Sequence, residues 1–269
     1  MSNYSNDIEL VIDRGIAQIK IQRSKKLNCL TMDMLQQLSV FLDQIEDDAD
    51  VLSVVIQAEP GKAFCAGADI QAWKDLDALD MWRIWVKKGH QIFDKIEQLR
   101  QPVIASVTGL ALGGGLELAA AADVRIASAS AQFALPEASI GTCPGWSGSQ
   151  RLVKEIGPAW VKAMALYGKW WNAEDAFNAG FIQSIAEDYQ GACDLAMEWA
   201  LKSASLAPIS VQLNKQLINA SMGIGISSTL EAMASGLSSN TQDAIEGKKS
   251  FFEKSYYLAR YYWNSNNFC

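Results

Sequence analysis

Glu117 closes the run Gly113-Gly114-Gly115-Leu116-Glu117, and Glu137 closes Leu135-Pro136-Glu137 just ahead of the turn Ile140-Gly141-Thr142-Cys143-Pro144-Gly145. Each carboxylate lies downstream of a glycine- or proline-rich segment able to present it to a small molecule. Two carboxylates so presented can share one water and pass a proton, the usual equipment of general acid/base catalysis. Spacing alone also allows plainer roles: Glu117 as a charge favoured by the first turn of a helix, Glu137 as a solvated carboxylate beside a proline turn.

Two glycine-rich loops stand ready to position such a pair. Gly61 to Ile70 and Thr108 to Glu117 each follow an apolar strand and open a helix, where small residues let backbone N–H groups approach a ligand closely. Together they can supply two donors to one developing negative charge; three glycines in a row also simply permit tight helix–sheet packing. Neither loop carries the Gly-x-Gly-x-x-Gly or Gly-Lys-Ser/Thr pattern of a phosphate cradle. Ser147 lacks a Gly-x-Ser-x-Gly context and has no histidine partner visible in the sequence, which argues against a serine-hydrolase triad.

The elements that must hold these loops are read from periodicity. Ile8 to Ile12 and Ile16 to Ile21 alternate around Asp13-Arg14-Gly15 as a hairpin. Thr31 caps a helix whose apolar face is Leu35, Leu38, Leu42 and Ile45. Val51 to Gln57, Pro102 to Val107 and Val124 to Ala127 read as buried parallel strands separated by helices, including one long helical stretch from Ile70 to Leu99. After Ala173 the pattern is helical apart from a short strand at Phe181 to Ile185. The expected organisation is an α/β core over residues 1–200 and a helical region over residues 201–269.

A chain of 269 residues with net charge −7 has room for a sizeable core and no overall electrostatic attraction to nucleic acid or anionic membranes. Its five cysteines are widely spaced without a Cys-x-x-Cys unit, so neither a disulfide framework nor a zinc site is expected and a reducing cytoplasm fits. No apolar run reaches the length of a membrane span.

Ala66-Gly67-Ala68-Asp69, Gly113-Gly114-Gly115-Leu116-Glu117 and Leu135-Pro136-Glu137 occur in an order and spacing that resembles the crotonase (enoyl-CoA hydratase/isomerase) superfamily. Arg23 to Leu30 is similar to the family's Arg-Pro-x-x-x-Asn-Ala-Leu, Gly141 to Leu152 to its Gly-x-x-Pro-Gly-x-Gly-Gly-x-Gln-Arg-Leu, and Glu246 to Lys254 to its terminal helix. The resemblance implies a crotonase fold, a repeated ββα core followed by a helical trimerisation region, and a homotrimer or dimer of trimers. It implies an acyl-CoA thioester as substrate, coenzyme A entering only as part of it, and no metal or redox cofactor.

Carried over residue by residue, the resemblance makes the backbone N–H groups of Ala68 and Gly114 the oxyanion hole and Glu117 and Glu137 the catalytic pair of a 2-enoyl-CoA hydratase. The alternatives are a Δ3-Δ2 enoyl-CoA isomerase using chiefly Glu137, or a catalytically idle acyl-CoA-binding protein. Lys25, Lys26, Ala66, Asp69, Ile70, Phe252 and Lys254 match positions near coenzyme A, although lysines on such a loop are equally often only solvated. Trp73, Trp82, Trp85 and Trp146 can narrow the acyl pocket toward a branched, aromatic or otherwise bulky chain, or serve only as packing anchors. His90, the sole histidine, reads best as a helix-face or capped core residue. A dehalogenase branch of the family pairs a histidine here with an aspartate in the later loop, where this chain has Gly145. Ser24 replaces the family's common proline, and Gly145-Trp146-Ser147-Gly148 replaces its common Gly-Ala-Gly-Gly.

Overall fold

The structure, a computed structural model, describes residues 6–253. Strands β1 (Ile8–Asp13) and β2 (Ile16–Ile21) pair antiparallel from Ile8 opposite Ile21 to Asp13 opposite Ile16. Arg14 and Gly15 make the turn, both with positive φ, the twist a two-residue hairpin needs. Helix α1 (Met32–Asp47) begins where the Thr31 side chain accepts the Met34 N–H, and it buries Leu35, Leu38, Leu42 and Ile45.

The chain then repeats strand, strand, helix. β3 (Ser53–Ala58) and β4 (Ala63–Cys65) lead to α2 (Ile70–Trp73), α3 (Ala78–Asp80), a π-helix (Met81–Val86) and α4 (Lys87–Gln98). β5 (Val103–Val107) and β6 (Leu110–Leu112) lead to α5 (Gly114–Ala120); β7 (Val124–Ser128) and β8 (Gln132–Ala134) lead to a 3₁₀ turn (Glu137–Ile140) and α6 (Gly148–Ile156). There follow α7 (Pro158–Tyr167), β9 (Trp171–Asn172), α8 (Ala173–Asn178), β10 (Ser184–Ala186), α9 (Tyr189–Ala204), α10 (Pro208–Ser221), α11 (Ile226–Ser239) and α12 (Gln242–Glu253).

The first strand of each repeat enters a six-stranded sheet ordered β1-β2-β3-β5-β7-β10, parallel beyond β2; the second enters a four-stranded sheet ordered β4-β6-β8-β9. Strand residues alternate between two buried faces. Ile16, Val55, Ile104 and Ile126 pack on Ala192, Ala196 and Ala200 of α9, while Ala17, Ile19, Val54, Ile56, Val103 and Ala105 join the main core. Burial on both faces is why these strands read as nearly continuous apolar runs.

The expected single helix from Ile70 to Leu99 is instead four pieces. Asp77 accepts the N–H groups of Leu79 and Asp80 and so restarts the helix, a side-chain cap that competes with continuation. The π-helical turn that follows buries Trp85 and leaves Trp82 65 % exposed. The described chain forms two compact units, one ending at Lys215 and a helical one starting at Gln216. No described helix is long and apolar enough to cross a membrane.

Candidate active site

The smaller sheet builds the entrance to the site. β4 and β6 run parallel as neighbours, so the loops that follow Cys65 and Leu112 leave the same edge of the sheet, where α/β proteins place their ligands. Gly67 and Gly113 turn these loops with φ of 97° and 51°, backbone that favours glycine. The turns bring Ala68 and Gly114 together: a Cβ built on Gly114 would stand 3.4 Å from the Ala68 nitrogen. Among the described residues, neither N–H donates to a loop or turn carbonyl. Two adjacent, unspent backbone donors at the start of α5 form a pocket for negative charge.

Beyond these donors lies a cavity of about 240 Å³. Its lining includes Ala66, Gly67, Ala68, Ile70 and Trp73 from the first loop and helix, Gly113, Gly114 and Glu117 from the second, Pro136, Glu137, Ile140 and Cys143 after β8, and Met81, Trp85, Val86 and Trp146. All belong to the larger unit.

The two glutamates both reach this cavity but in different company. Glu117 is 2 % exposed, and its Oε1 accepts the N–H groups of Trp146 and Gly148, each at 2.8 Å. Burial pushes its carboxyl above the ordinary range, opposed by the Gly148, Trp146 and Gly145 N–H groups and by the Arg151 charge. A side chain at position 148 would overlap the Glu117 methylenes, so glycine there is a condition for the carboxylate's seat. Glu137 has only its own backbone N–H to favour the charge; burial, reinforced by Glu117, pushes its carboxyl up to about 7. Its Oε2 is buried without a hydrogen-bond partner, as is Nε1 of Trp73, which lines the same cavity. Orphaned polar atoms facing a cavity are groups a ligand or water would satisfy.

Such an arrangement can hold one proton between two carboxylates. Glu137, pushed up to about 7, can carry that proton near neutral pH, while at Glu117 the N–H donors oppose the burial that raises its carboxyl.

Three of the four tryptophans line the cavity, and Trp82 does not. Trp146 is 2 % exposed, its ring tilted 40° against Trp85 at 5.6 Å and edge-on to Phe93 at 5.4 Å. It fits because Gly89 and Gly114 present no side chain; a Cβ at either would overlap the indole.

The residues expected near coenzyme A fall into three groups. Ala66 and Ile70 line the cavity mouth. Lys25 and Lys26 sit exposed in a 3₁₀ turn, followed by Leu27 and Asn28 with φ of 52° and 55°. Buried Asn28 fixes that turn, accepting the Arg23 N–H and donating to the Ala63 carbonyl. The Leu30–Gly67 and Asp69–Leu30 backbone bonds then lay the lysine turn beside the Ala66–Asp69 loop. The Asp69 side chain caps α2 and pairs with Arg23 at 2.8 Å, so that loop offers a ligand its backbone. Phe252 lies 80 % exposed on α12 of the helical unit. Lys254 lies outside the described residues.

One expectation is overturned. Ser147 does have a histidine partner: its Oγ lies 2.5 Å from His90 Nδ1, and His90 Nε2 lies 3.3 Å from Asp94. His90 is therefore tied to the loop beside Glu117. The two side chains are 57 positions apart, and only the departure at Gly145-Trp146-Ser147-Gly148 marked the place. Gly89 carries no signal in the sequence, and Gly148 and Arg151 stand there only as members of the Gly141 to Leu152 motif; each acts by what it leaves room for or by whom it holds.

A family model described as enoyl-CoA hydratase/isomerase matches residues 11–258. The short-chain-enoyl-CoA hydratase of Clostridium acetobutylicum is 35 % identical over 251 residues, covering 93 % of this chain and 95 % of that protein. The crotonyl-CoA hydratase of Syntrophomonas wolfei is 35 % identical over 253 residues, covering 93 % and 96 %. Among solved structures, an enoyl-CoA hydratase from Bacillus anthracis superposes with a TM-score of 0.78 at 31 % identity, covering 94 % of this chain and 98 % of that one. Pseudomonas aeruginosa DspI superposes with a TM-score of 0.80 at 29 % identity, covering 96 % and 98 %.

Proposed function

The chain belongs to the enoyl-CoA hydratase/isomerase family, and from that premise we propose that it adds water reversibly across the 2,3 double bond of a short-chain 2-enoyl-CoA. The observation that carries this reading is the one cavity lined by two unlike carboxylates and by Ala68 and Gly114. The thioester oxygen sits between the two N–H groups, which meet the enolate charge as it develops. Glu117 takes a proton from water as its oxygen attacks C3, and Glu137 delivers its proton to C2. The pair ends with the same number of protons it began with, which suits a reversible addition with no net acid or base consumed.

The proposed acyl group is short. The sequence pattern points to a bulky one, but Trp146 packs on Trp85 and Phe93 and, with Trp85, occupies lining that a longer chain would need. Trp146→Ala enlarges the cavity, and we expect the ratio of kcat/KM for an eight-carbon over a four-carbon 2-enoyl-CoA to rise about tenfold, in line with the worth of a few methylenes in an apolar slot. An unchanged ratio would confine Trp146 to packing.

Assaying loss of the conjugated enoyl thioester over straight, branched and aromatic 2-enoyl-CoAs tests the whole reading, and failure with every member would sink it. A parallel 3-enoyl-CoA arm identifies an isomerase. The reading also includes a cytoplasmic location, supported by unpaired Cys29, Cys65, Cys143 and Cys193, and a homotrimer or dimer of trimers. Leu230, Leu237, Phe251 and Phe252 are each more than 60 % exposed in the helical unit, an apolar surface that association would cover. Light scattering should give three or six times the chain mass of 29.4 kDa; a monomer would remove this part.

A further inference from the structure

The loop that holds Glu117 is built around a serine in a conformation serine avoids. Ser147 has φ 72° and ψ 13°, left-handed backbone that favours glycine over any residue with a Cβ. Gly145 and Gly148, which flank Trp146 and Ser147, have no side chains with which to hold the turn. Ser147 is 6 % exposed and absent from the cavity wall; its hydroxyl faces α4, with His90 Nδ1 at 2.5 Å and Nε2 at 3.1 Å.

From His90 a chain of contacts returns to the same loop. His90 Nε2 lies 3.3 Å from Asp94 Oδ2, one helical turn on. Arg151 Nη2 donates to Asp94 Oδ1 at 2.5 Å and to Glu97 Oε2 at 3.3 Å, while Arg151 Nη1 donates to the Trp146 carbonyl at 3.1 Å. Trp146 and Ser147 are thus gripped from both ends by groups anchored on α4 and α6. The next hydrogen bonds out are the Trp146 and Gly148 N–H groups on Glu117 Oε1.

We propose that His90 and Ser147 are positioning residues for Glu117: their contact, backed by Asp94 and Arg151, clamps residues 146–147 in the left-handed turn that aims two backbone N–H groups at the Glu117 carboxylate. The proposal takes from the hydratase reading only that Glu117 is the carboxylate that acts. Serine, histidine and aspartate in sequence suggest an acyl-transfer nucleophile, but the Trp146 indole fills the space between Gly114 and Gly89, next to His90. Ser147 stands behind that wall from any thioester held at Ala68 and Gly114.

The clamp is tested with the full chain. His90→Ala should lower kcat for hydration about tenfold with KM changed less than twofold. Adding Ser147→Gly to His90→Ala should restore most of that loss, because glycine holds the turn unaided, whereas adding Ser147→Ala should not. A direct readout needs no turnover: the 13C-labelled Glu117 carboxyl should titrate at higher pH in His90→Ala than in the parent, as its N–H donors loosen while Glu137 and Arg151, which face the same carboxyl, are unchanged. Full kcat in His90→Ala, no rescue by Ser147→Gly, an unmoved Glu117 titration, or labelling of Ser147 by a fluorophosphonate would each overturn the clamp. If the parent chain hydrates no enoyl-CoA, the functional reading fails while the titration still decides the clamp.

Discussion

Glu137→Gln should lower kcat for hydration about 10³-fold, within the range removal of a general acid commands, and leave acyl-CoA binding within a few fold. The amide keeps the size of the side chain but cannot give a proton to C2. The free enzyme's kcat/KM should fall as pH rises past about 7, where the pair loses its shared proton, and Glu137→Gln should lack that limb. Retention of more than a tenth of the parent's kcat would remove Glu137 from the mechanism.

The same substitution should stabilise the protein. Glu137 has a folded pKa of about 7 against an ordinary 4.5, so the folded state binds more protons across that window and stability declines as pH rises through it. Above pH 7 the charged, half-buried carboxylate costs roughly 2 kcal/mol after allowing for the cavity's water. Glu137→Gln should therefore melt several degrees higher than the parent at pH 8.5, with the gain vanishing as the pH approaches 4. A lower melting temperature at pH 8.5 would mean that the environment favours the charge instead of resisting it.

Glu117→Gln should reduce kcat by a similar factor of about 10³ through a different loss. Its amide oxygen can still accept the Trp146 and Gly148 N–H groups, so loop and cavity persist, and what disappears is the base that takes water's proton. Binding of a saturated acyl-CoA should change little. Near-parental turnover, read by single-turnover kinetics to exclude slow product release, would reassign water activation to another group.

The two glutamates were legible because each follows glycine or proline and because several weak motifs stand in register; their inequality was not. What separates Glu117 from Glu137 is a pair of N–H donors from residues 146 and 148, a contact across 29 and 31 positions that no local pattern encodes. Thr31 and the alternation of Ile16 to Ile21 predicted α1 and β2 because capping and period-two burial are local rules. β4 and β6 went unread because strands of three residues flanked by glycine have too few side chains to alternate. The break in the stretch after Ile70 depends on Asp77 capping a new turn and on a π-helix whose wider turn shows no periodic signal. Ser147 was visible as a departure, but its partner lies on that helical stretch, brought near only by the fold.

Gly89 can be altered only together with Trp146. The indole occupies the volume a Cβ at position 89 would need, so a relative bearing any side chain there must carry a smaller residue at 146, and it gains cavity depth by the exchange. Covariation between these two positions across the family should therefore track acyl-chain length: glycine with tryptophan where the chain is short, a larger residue with alanine or glycine where it is long.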